Sequence, residues 1–542
     1  MGCDWKLAGG SVIDGTGSKA VRADVAVTGG RISAVGDLAG VEAAQVLDCT
    51  GRIVAPGFID IHSHADWILP AADHGALLEP FVRQGMTSVV AGNCGFTPAP
   101  VSAVSRESAR DASRLMYDGS LAPEWGTMRS FLDDLEAGGV ALNVAQLVGH
   151  GSVRSAVTGV LETRAPQPHE LKEMERLVDE ALDAGCAGIS TGLGYAPGIF
   201  SGEEELRAFA EMAARRGRLF TSHLKAYSWA SGVYAHDPKQ EPHNLTAIRE
   251  ILDVARAAGA RLQISHLIFV GRNTWPNHGD ALRMIEQAHA QGVDVAFDAF
   301  PYTAGNTTCA VIFPAAILPK LEDVLRDPAQ LAGLARFAEM AFEAVGFGLA
   351  DIQLMHCGVP EWNHLDGLRV PEAAARLDMQ PFEFYARLTV ASHRNARVLN
   401  HTYSGDRGEE DALRAVLAHP LCTIETDTLL TREGHQNPAS YGTFPRVLGA
   451  CVRDGLFPLE EAVRRMTGAA ADRLGWRDRG LVRRGQAADL VVFDAERIAD
   501  RTSFEQPTLA PEGIDDVFVN GRPVLRGGRY DAGAKAGMVI RG

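Results

Sequence analysis

Residues 244–267 read NLTAIREILDVARAAGARLQISHL and contain one complete helix-to-strand unit. In residues 244–259 apolar side chains recur every three or four positions before a glycine, which is typical of an amphipathic helix. In residues 261–267 the apolar residues are close together over a short run, which is typical of a strand buried in a sheet. The stretch therefore predicts one repeat of a parallel α/β fold.

The same alternation extends over most of the chain. Eight short runs are candidate strands: GFIDIH (57–62), TSVVAGN (87–93), LNVAQLVGH (142–150), CAGISTGL (186–193), RLFTSHL (218–224), RLQISHL (261–267), VDVAFDAF (293–300) and LCTIETD (421–427). Helical periodicity that ends at glycine fills four of the gaps, at residues 170–185, 204–217, 244–259 and 280–292. Eight such units predict a closed (β/α)8 TIM-like barrel, with an open doubly wound sheet as the alternative.

Both ends of the chain have a different texture. Residues 1–55 and 479–542 consist of short β-like runs separated by tight turns such as TGG and NG. We therefore expect β structure at both ends and a barrel domain over residues 56–478. The seventh gap of the barrel, at about residues 309–420, is long and rich in helical patterns, so we expect a helical insertion there.

Composition excludes several classes of function. The 52 Lys and Arg against 68 Asp and Glu give a net charge of −16, which argues against a nucleic-acid partner because phosphate binding needs basic patches. The chain contains no run of 18 apolar residues and no signal-peptide pattern, so we expect neither a membrane span nor secretion. Eight scattered cysteines without a CxxC pair suggest reduced thiols in a cytoplasmic protein.

Side chains able to bind metal lie at the ends of five of the eight runs. These candidates are His62, His64, Cys94, His223, His266 and Asp427. Taken singly, each of these residues has an ordinary structural explanation. The histidines could be hydrogen-bonded structural residues, the cysteine an inert buried residue and the aspartate a helix cap. The C-terminal ends of barrel strands meet at one face, and imidazole, thiolate and carboxylate are the usual ligands of zinc. As a set, the six residues predict a metal site.

Several motifs resemble one enzyme family. RIVAPGFIDIHSHAD resembles the first-strand signature of the amidohydrolase superfamily. More narrowly, NCGF, GISTGLGYAPG, FDAFPYTAGNTT, YGTFPRVLG and the tail GLVRRGQAADLVVFDAERIADRTSFEQP resemble the D-aminoacylase (N-acyl-D-amino-acid deacylase) branch. The likeness covers nearly the whole chain. It implies a barrel plus a small β-sandwich built from both chain ends, residues 1–55 and 479–542.

The resemblance also implies how the metals are held. Most of the superfamily bridges two metals with a carbamylated lysine from the fourth strand, but GISTGLGY contains no lysine. The D-aminoacylase branch uses a cysteine after the second strand, which matches Cys94. By this analogy Cys94, His223 and His266 hold a tightly bound zinc. His62 and His64, with Cys94 shared, would form a weaker second site.

By the same analogy, the activity would be zinc-dependent hydrolysis of a linear amide, such as an N-acyl-D-amino acid or a related amide or anilide. Zinc lowers the pKa of bound water from about 15.7 to about 7. The metal-bound hydroxide would attack the carbonyl, and Asp427 would act as general base and then general acid. Asp427 lies in T-D-T, where the branch usually has S-D-G. The alternatives are hydrolysis of cyclic amides, ureides or carbamates, and a non-catalytic scaffold; a homo-oligomer is left open.

The sequence departs from the branch where the substrate's carboxylate would bind. The branch usually carries a lysine two residues after the sixth-strand histidine and an arginine before the WGTFPR-like motif, and here these positions are Ile268 and Ala439. Either other cations have taken over, with Lys225, Arg272 and Arg432 as candidates, or the substrate lacks that carboxylate.

Four further side chains are predicted to contact the substrate. Tyr195 and Tyr302 lie in loops after barrel strands, and Tyr302 belongs to the PYTAG stretch that matches the branch. His150 closes the third strand, where it could line the pocket or orient a loop. Lys225 follows the fifth strand closely. Aromatic residues in these loops would suit an apolar or aromatic group of the substrate.

Overall fold

Five strands precede the barrel in this computed structural model, which describes residues 2–160, 162–235, 241–314 and 317–542. They are β1 (Cys3–Val12), β2 (Val21–Thr28), β3 (Arg31–Gly36), β4 (Ala43–Asp48) and β5 (Ile53–Pro56). β1 pairs antiparallel with β2, while its other edge is shared by β4 and β5 in parallel. These strands form the N-terminal part of a sheet that the C-terminus completes.

The barrel begins immediately after β5. Its first seven strands are β6 (Phe58–Asp60), β7 (Met86–Ala91), β8 (Asn143–Gly149), β9 (Gly188–Gly192), β10 (Leu219–His223), β11 (Arg261–Ile264) and β12 (Val295–Ala299). Its first nine helices are α1 (His74–Leu77), α2 (Glu79–Arg83), α3 (Arg106–Met116), α4 (Met128–Gly138), α5 (His150–Thr158), α6 (Pro168–Asp183), α7 (Glu203–Arg215), α8 (His243–Ala258) and α9 (His278–Ala290). Each strand is parallel to its neighbours, as alternating strands and crossover helices require.

Local chemistry sets the ends of the barrel helices. α6 begins with Pro168 at its first turn, and the Gln167 backbone N–H donates to the Glu170 carboxylate at 2.6 Å. α8 ends at Gly259, whose φ of +63° is a left-handed conformation that favours glycine. The four helices expected from their periodicity are the helices α6 to α9.

The insertion between β12 and the last barrel strand carries its own sheet and core. Its strands are β13 (Ala304–Thr308), β14 (Ile352–His356) and β15 (Arg397–His401), and its helices are α10 (Leu321–Arg326), α11 (Pro328–Val345), α12 (Val370–Arg376) and α13 (Pro381–Ala391). The strands pair antiparallel in the order β13, β15, β14. Helical patterning alone did not predict this sheet, because each strand has only five residues and two of the three lie between helices. A buried cluster that includes Leu354, Phe384 and Val398 holds the insertion together.

The eighth strand, β16 (Cys422–Ile424), pairs with β12 and nearly closes the barrel. A bridge between Ser63 and Thr428 links the segments that follow β6 and β16. The predicted barrel is thereby confirmed, and the doubly wound alternative is wrong. The remaining helices are α14 (Asp411–Ala418), α15 (Ala439–Arg446), α16 (Leu459–Met466) and α17 (Gly468–Arg473), with a π-helical turn at Val447–Cys451.

The C-terminal strands complete the first sheet. They are β17 (Leu490–Phe493), β18 (Ile514–Val519), β19 (Arg522–Arg526) and β20 (Arg529–Tyr530). β17 pairs antiparallel with β5, so both chain ends build one nine-stranded sheet, as expected. Its core includes Leu7 and Val25 from the N-terminal part and Leu490 and Phe518 from the C-terminal part. No helix among the described residues is long and apolar enough to cross a membrane.

Candidate metal centre

The six predicted ligand and catalytic side chains converge at the C-terminal ends of the barrel strands. Each is placed by the end of its own strand: His62 and His64 follow β6, Cys94 follows β7, His223 ends β10, His266 follows β11 and Asp427 follows β16. Hydrogen bonds across the barrel closure align two of these segments. The Asp427 N–H donates to the His62 carbonyl at 3.1 Å, and the His64 N–H donates to the Thr428 carbonyl at 3.3 Å.

The ligand atoms of these six residues fall into two sets that share the Cys94 sulfur, and a third group joins His62 to Asp298 and Glu425. One set is Cys94, His223 and His266, and the other is His62, His64, Cys94 and Asp427; within each set all atoms lie within 4.8 Å of one another. Cys94 Sγ lies 3.3 Å from His62 Nε2 and 3.4 Å from His266 Nε2.

These spacings and the donor types fit zinc. Tetrahedral zinc with bonds of about 2.0 to 2.3 Å places neighbouring ligand atoms about 3.3 to 3.7 Å apart. The cysteine-to-histidine distances lie in that range, while His223 Nδ1 and His266 Nε2 are closer, at 2.9 Å. Histidine nitrogens, a thiolate and a carboxylate in a buried site match the ligand preference of this metal.

The electrostatics of the cluster favour a cysteine thiolate. Burial by itself raises the pKa of the Cys94 thiol, but the charges of His62 and His266 and hydrogen bonds from His223 and His266 outweigh it. The pKa of Cys94 is therefore held well below its ordinary value. For His64, burial acts to lower the pKa, but the contacts with Asp427 and Cys94 raise it to about 9. The lowered pKa favours the thiolate form of Cys94, which is the form of cysteine that binds metal.

Three residues of the cluster have a left-handed backbone. The φ angles are +55° at Cys94, +32° at His266 and +47° at Asp427. Such conformations are uncommon for residues other than glycine and concentrate at functional sites. Here each one turns the chain at the end of a barrel strand.

Asp298 connects the two halves of the cluster, and the sequence analysis did not identify it. One of its oxygens, Oδ1, lies 3.2 Å from His62 Nδ1 and accepts a hydrogen bond from the His266 N–H at 2.6 Å. Its other oxygen accepts from Gln263 Nε2 at 2.8 Å. The available signal was an acidic residue inside the buried run VDVAFDAF. A carboxylate behind a metal-binding histidine fixes the ring's tautomer and direction.

Two more buried carboxyl groups lie close to the cluster. Asp60 accepts hydrogen bonds from the Thr426 hydroxyl at 2.5 Å and the Thr426 N–H at 3.1 Å, yet burial raises its pKa to about 7. Glu425 is fully buried, and neither of its carboxylate oxygens has a hydrogen-bond partner in the described part of the chain. Burial, together with the charges of Asp427, Asp298 and Asp60, raises the pKa of Glu425 well above its ordinary value. An uncharged Glu425 is the form that this environment favours.

A cavity of about 740 Å³ opens above the cluster. His64, Cys94, His223, His266 and Asp427, which belong to the candidate metal site, form the ionisable part of its lining. The walls come from the loops after barrel strands and from the insertion, including α11 and the segment after β13. The expected insertion therefore covers the barrel mouth above the candidate site.

The four predicted substrate-contacting residues are not all in the cavity. Tyr195 lines it, and its hydroxyl donates to the Cys94 carbonyl at 2.8 Å. The other three are not among the lining residues. His150 is buried against Glu205 at 2.8 Å, and the Tyr302 hydroxyl bonds Asp500 at 2.9 Å. Lys225 Nζ lies over a tyrosine ring, 5.4 Å from its centroid.

Comparison with known proteins shows full-length similarity to deacylases of N-acyl-D-amino acids. The amidohydrolase family profile matches residues 45–323 and 374–525. The chain is 35% identical to N-acyl-D-glutamate deacylase of Alcaligenes xylosoxydans xylosoxydans over 96% of this chain and 93% of the relative. Two solved structures cover 100% of both chains. One is N-acyl-D-glutamate deacylase from Bordetella bronchiseptica with zinc and a phosphonate mimic of the tetrahedral intermediate (TM-score 0.83, 31% identity). The other is D-aminoacylase, studied for the role of its binuclear metal centre (TM-score 0.81, 32% identity).

Proposed function

Because the chain belongs to the amidohydrolase family, we propose that it is a zinc-dependent hydrolase of the linear amide bond in N-acyl-D-amino acids or related amides and anilides. The observation that carries this proposal is the convergence of five metal-binding side chains and Asp427 beneath one cavity. The full-length relatives act on N-acyl-D-amino acids, and one of their structures contains zinc.

We assign the ligands by the two sets of atoms. Cys94, His223 and His266 would hold the first zinc, because they supply one thiolate and two imidazoles without using the catalytic aspartate. His62 and His64, with the Cys94 sulfur shared, would hold a second and weaker one. The bound metal would supply a Lewis acid that polarises the amide carbonyl and makes a water molecule nucleophilic at neutral pH.

Asp427 is the group placed to move protons. Its Oδ1 lies 3.5 Å from His62 Nε2 and 3.4 Å from His64 Nε2, and the side chain faces the cavity. A carboxylate there accepts a proton from the attacking water. It then delivers that proton to the departing nitrogen, since an amide cannot expel an unprotonated amine.

Asp298 acts as a positioning residue. By holding His62 through Nδ1 and the His266 backbone N–H, it keeps the facing ring nitrogens directed at the Cys94 sulfur. Tyr195 has a comparable structural role on the other side, because its hydroxyl ties the Cys94 carbonyl in place.

The proposal is tested with the Asp427→Asn variant of zinc-loaded protein. Loss of the proton-transfer group should lower kcat by about 10²- to 10⁴-fold on a panel of N-acyl-D-amino acids, amides and anilides, with the zinc content unchanged. Asp454→Asn is the matched control, because Asp454 is an exposed carboxylate that pairs with Arg414 and does not line the cavity. Full activity of Asp427→Asn with zinc bound would refute the proposed role. Hydantoins and carbamates are assayed beside this panel with the parent protein, and a preference for them would refute the linear amide as the substrate.

A further inference from the structure

We propose that the substrate of this cavity is an uncharged amide that carries a long apolar chain. This inference rests on the proposed function, since it specifies the substrate class of the same site. It goes beyond the activity of the relatives, whose N-acyl-D-glutamate substrates carry carboxylates next to the scissile amide.

The cavity walls above the metal cluster are mostly apolar. The barrel loops contribute side chains such as Phe96 and Phe200, and the insertion contributes Phe313, Phe337 and Phe342. The charged or metal-binding groups among the lining residues are those of the cluster itself. Asn306, Thr307 and Thr308 also line the cavity, so its surface is mostly apolar. Such a surface removes hydrocarbon from water but offers a negatively charged substrate group no cationic side chain.

Of the described residues, no lysine or arginine lines the cavity. Two of the three candidate replacement cations, Arg272 and Arg432, form ion pairs elsewhere. Arg272 forms two hydrogen bonds with Asp351, at 2.9 and 3.0 Å, and a third with Asp406 at 2.9 Å. Arg432 pairs with Asp73 and with Asp118. Neither guanidinium is available to a substrate carboxylate without breaking an existing ion pair.

The positions where the branch carries its cations are filled by a packed cluster. Ile268 and Ala439 belong to one group of buried side chains together with Phe300, Tyr302 and Tyr403. Ile268 is 9% exposed and Ala439 is 0% exposed. These two positions therefore carry no positive charge and leave no open space for a substrate carboxylate. A carboxylate brought against this cluster would lose its hydration without gaining a cationic or hydrogen-bonded partner.

The outer end of the cavity is open and apolar. Val311 and Phe337 line the cavity, yet each is 56% exposed. Phe337 lies on α11, where the next turn of the helix carries Met340, 71% exposed and not part of the lining. A chain that fills the cavity can therefore extend past Phe337. Full burial of each added methylene should raise kcat/KM about fourfold.

The test uses two chain-length series on zinc-loaded protein. One series is N-acyl-D-leucinamides with acetyl to decanoyl chains, and the other is acetamides of the corresponding alkylamines. Each N-acyl-D-leucinamide is compared with its N-acyl-D-leucine, which differs by the carboxylate. We expect kcat/KM to rise by threefold to fourfold per methylene in at least one series, and each uncharged amide to exceed its carboxylate by at least tenfold. A flat or falling series, or preference for the carboxylates, overturns the inference while the proposed hydrolase function stands.

A pair of variants on α11 provides the structural check. Phe337→Ser should lower kcat/KM for the longest preferred chain about tenfold more than for the acetyl compound. Met340→Ser, the same kind of change at an exposed position outside the cavity, should alter neither. Equal effects of the two variants, or no effect of Phe337→Ser, would show that the chain does not bind along this wall.

Failure of the hydrolase proposal can be distinguished from failure of the substrate inference. If the zinc-loaded protein hydrolyses neither series nor the carboxylates, the hydrolase proposal is wrong. Calorimetric titration with octanamide and octanoate then decides the inference independently of turnover. Binding of octanamide at least tenfold tighter than octanoate supports an uncharged apolar ligand, and equal or weaker binding overturns it.

Discussion

Ile268 and Ala439 are 171 positions apart in the sequence, yet both side chains pack in one buried apolar cluster. The two replacements of expected cations are therefore a single structural feature, since each contributes to the same packed surface. Replacement of only one expected cation would leave the second one in this cluster. Because both positions are apolar, the cluster carries neither of the two expected positive charges.

Truncation of Ile268 should destabilise the protein. Ile268→Ala removes a side chain that is 9% exposed and leaves space among rigid aromatic rings, so we expect a loss of about 2 to 4 kcal/mol in unfolding free energy. Urea unfolding measures it. Val46→Ala is the control, because Val46 is 55% exposed and should change stability by less than about 0.5 kcal/mol. Equal losses for the two variants would contradict the packing described.

Removal of the shared sulfur should affect both metal positions. Cys94→Ala is expected to lower zinc affinity by about 100-fold or more and to abolish activity, because Cys94 belongs to both ligand sets. Metal content after dialysis against a chelator checks this. Cys186→Ala is the matched control, since Cys186 is also fully buried but precedes β9, at the opposite end of the barrel. Full zinc retention by Cys94→Ala would show that the sulfur is not a ligand.

Neutralising Asp298 should weaken metal binding without removing a ligand. In Asp298→Asn the contacts with His62 and His266 lose their charge, and we expect zinc affinity to fall by about 10- to 100-fold. Competition titration with a zinc indicator measures the affinity. Asp294→Asn changes an aspartate just before β12, where it pairs with Arg261 and Arg473, and should leave affinity unchanged. The assignment fails if the two variants bind zinc equally well.

The insertion should lose stability in mild acid through His401. Burial, together with the charge of Arg369, lowers the pKa of His401 to about 3, and its Nδ1 accepts from Arg369 Nη2 at 3.1 Å. The unfolded state, with a pKa of about 6.5, binds the proton more readily, so stability falls as the pH drops from 6.5 towards 3. Between pH 7 and pH 5 the loss should be about 2 kcal/mol.

Hydrogen exchange of the β15 amides, measured at both pH values and corrected for intrinsic exchange, reports this local stability. The His401→Gln variant should lack the acid-dependent component, because glutamine does not titrate while it can still accept a hydrogen bond from Arg369. An equal pH dependence in the variant and the parent protein would exclude His401 as the cause.

Much of the fold could be predicted from local patterns. Apolar periodicity identified α6 to α9, and the eight apolar runs contain all eight barrel strands except that β7 begins one residue earlier, at Met86. The small sheet of the insertion was missed, because strands as short as Ile352–His356 between helices leave no distinct alternation. The likeness to the amidohydrolase family, first indicated by motifs such as IDIHSHAD, is confirmed over nearly the full length.

The candidate site divides in the same way. Histidines, a cysteine and an aspartate at strand ends could be recognised one by one, since metal-binding chemistry belongs to the residue type. The role of Asp298 could not be recognised, because it depends on a carboxylate from β12 meeting the His62 ring after β6 and the His266 backbone N–H after β11. Tyr302 shows the converse: its motif suggested a substrate contact, but its hydroxyl is bonded to Asp500, which lies in the C-terminal segment.

The sequence by itself determined the parallel barrel, the β structure at both ends and the kinds of atoms available at the site, because these follow from local periodicity and residue chemistry. Only the tertiary structure decided which atoms meet and which charges are already paired. Contacts such as those of Arg272 with Asp351 and Asp406 join positions 79 and 134 residues apart. Such pairings arise when strands and loops pack in space, and they leave no lysine or arginine among the described residues that line the cavity.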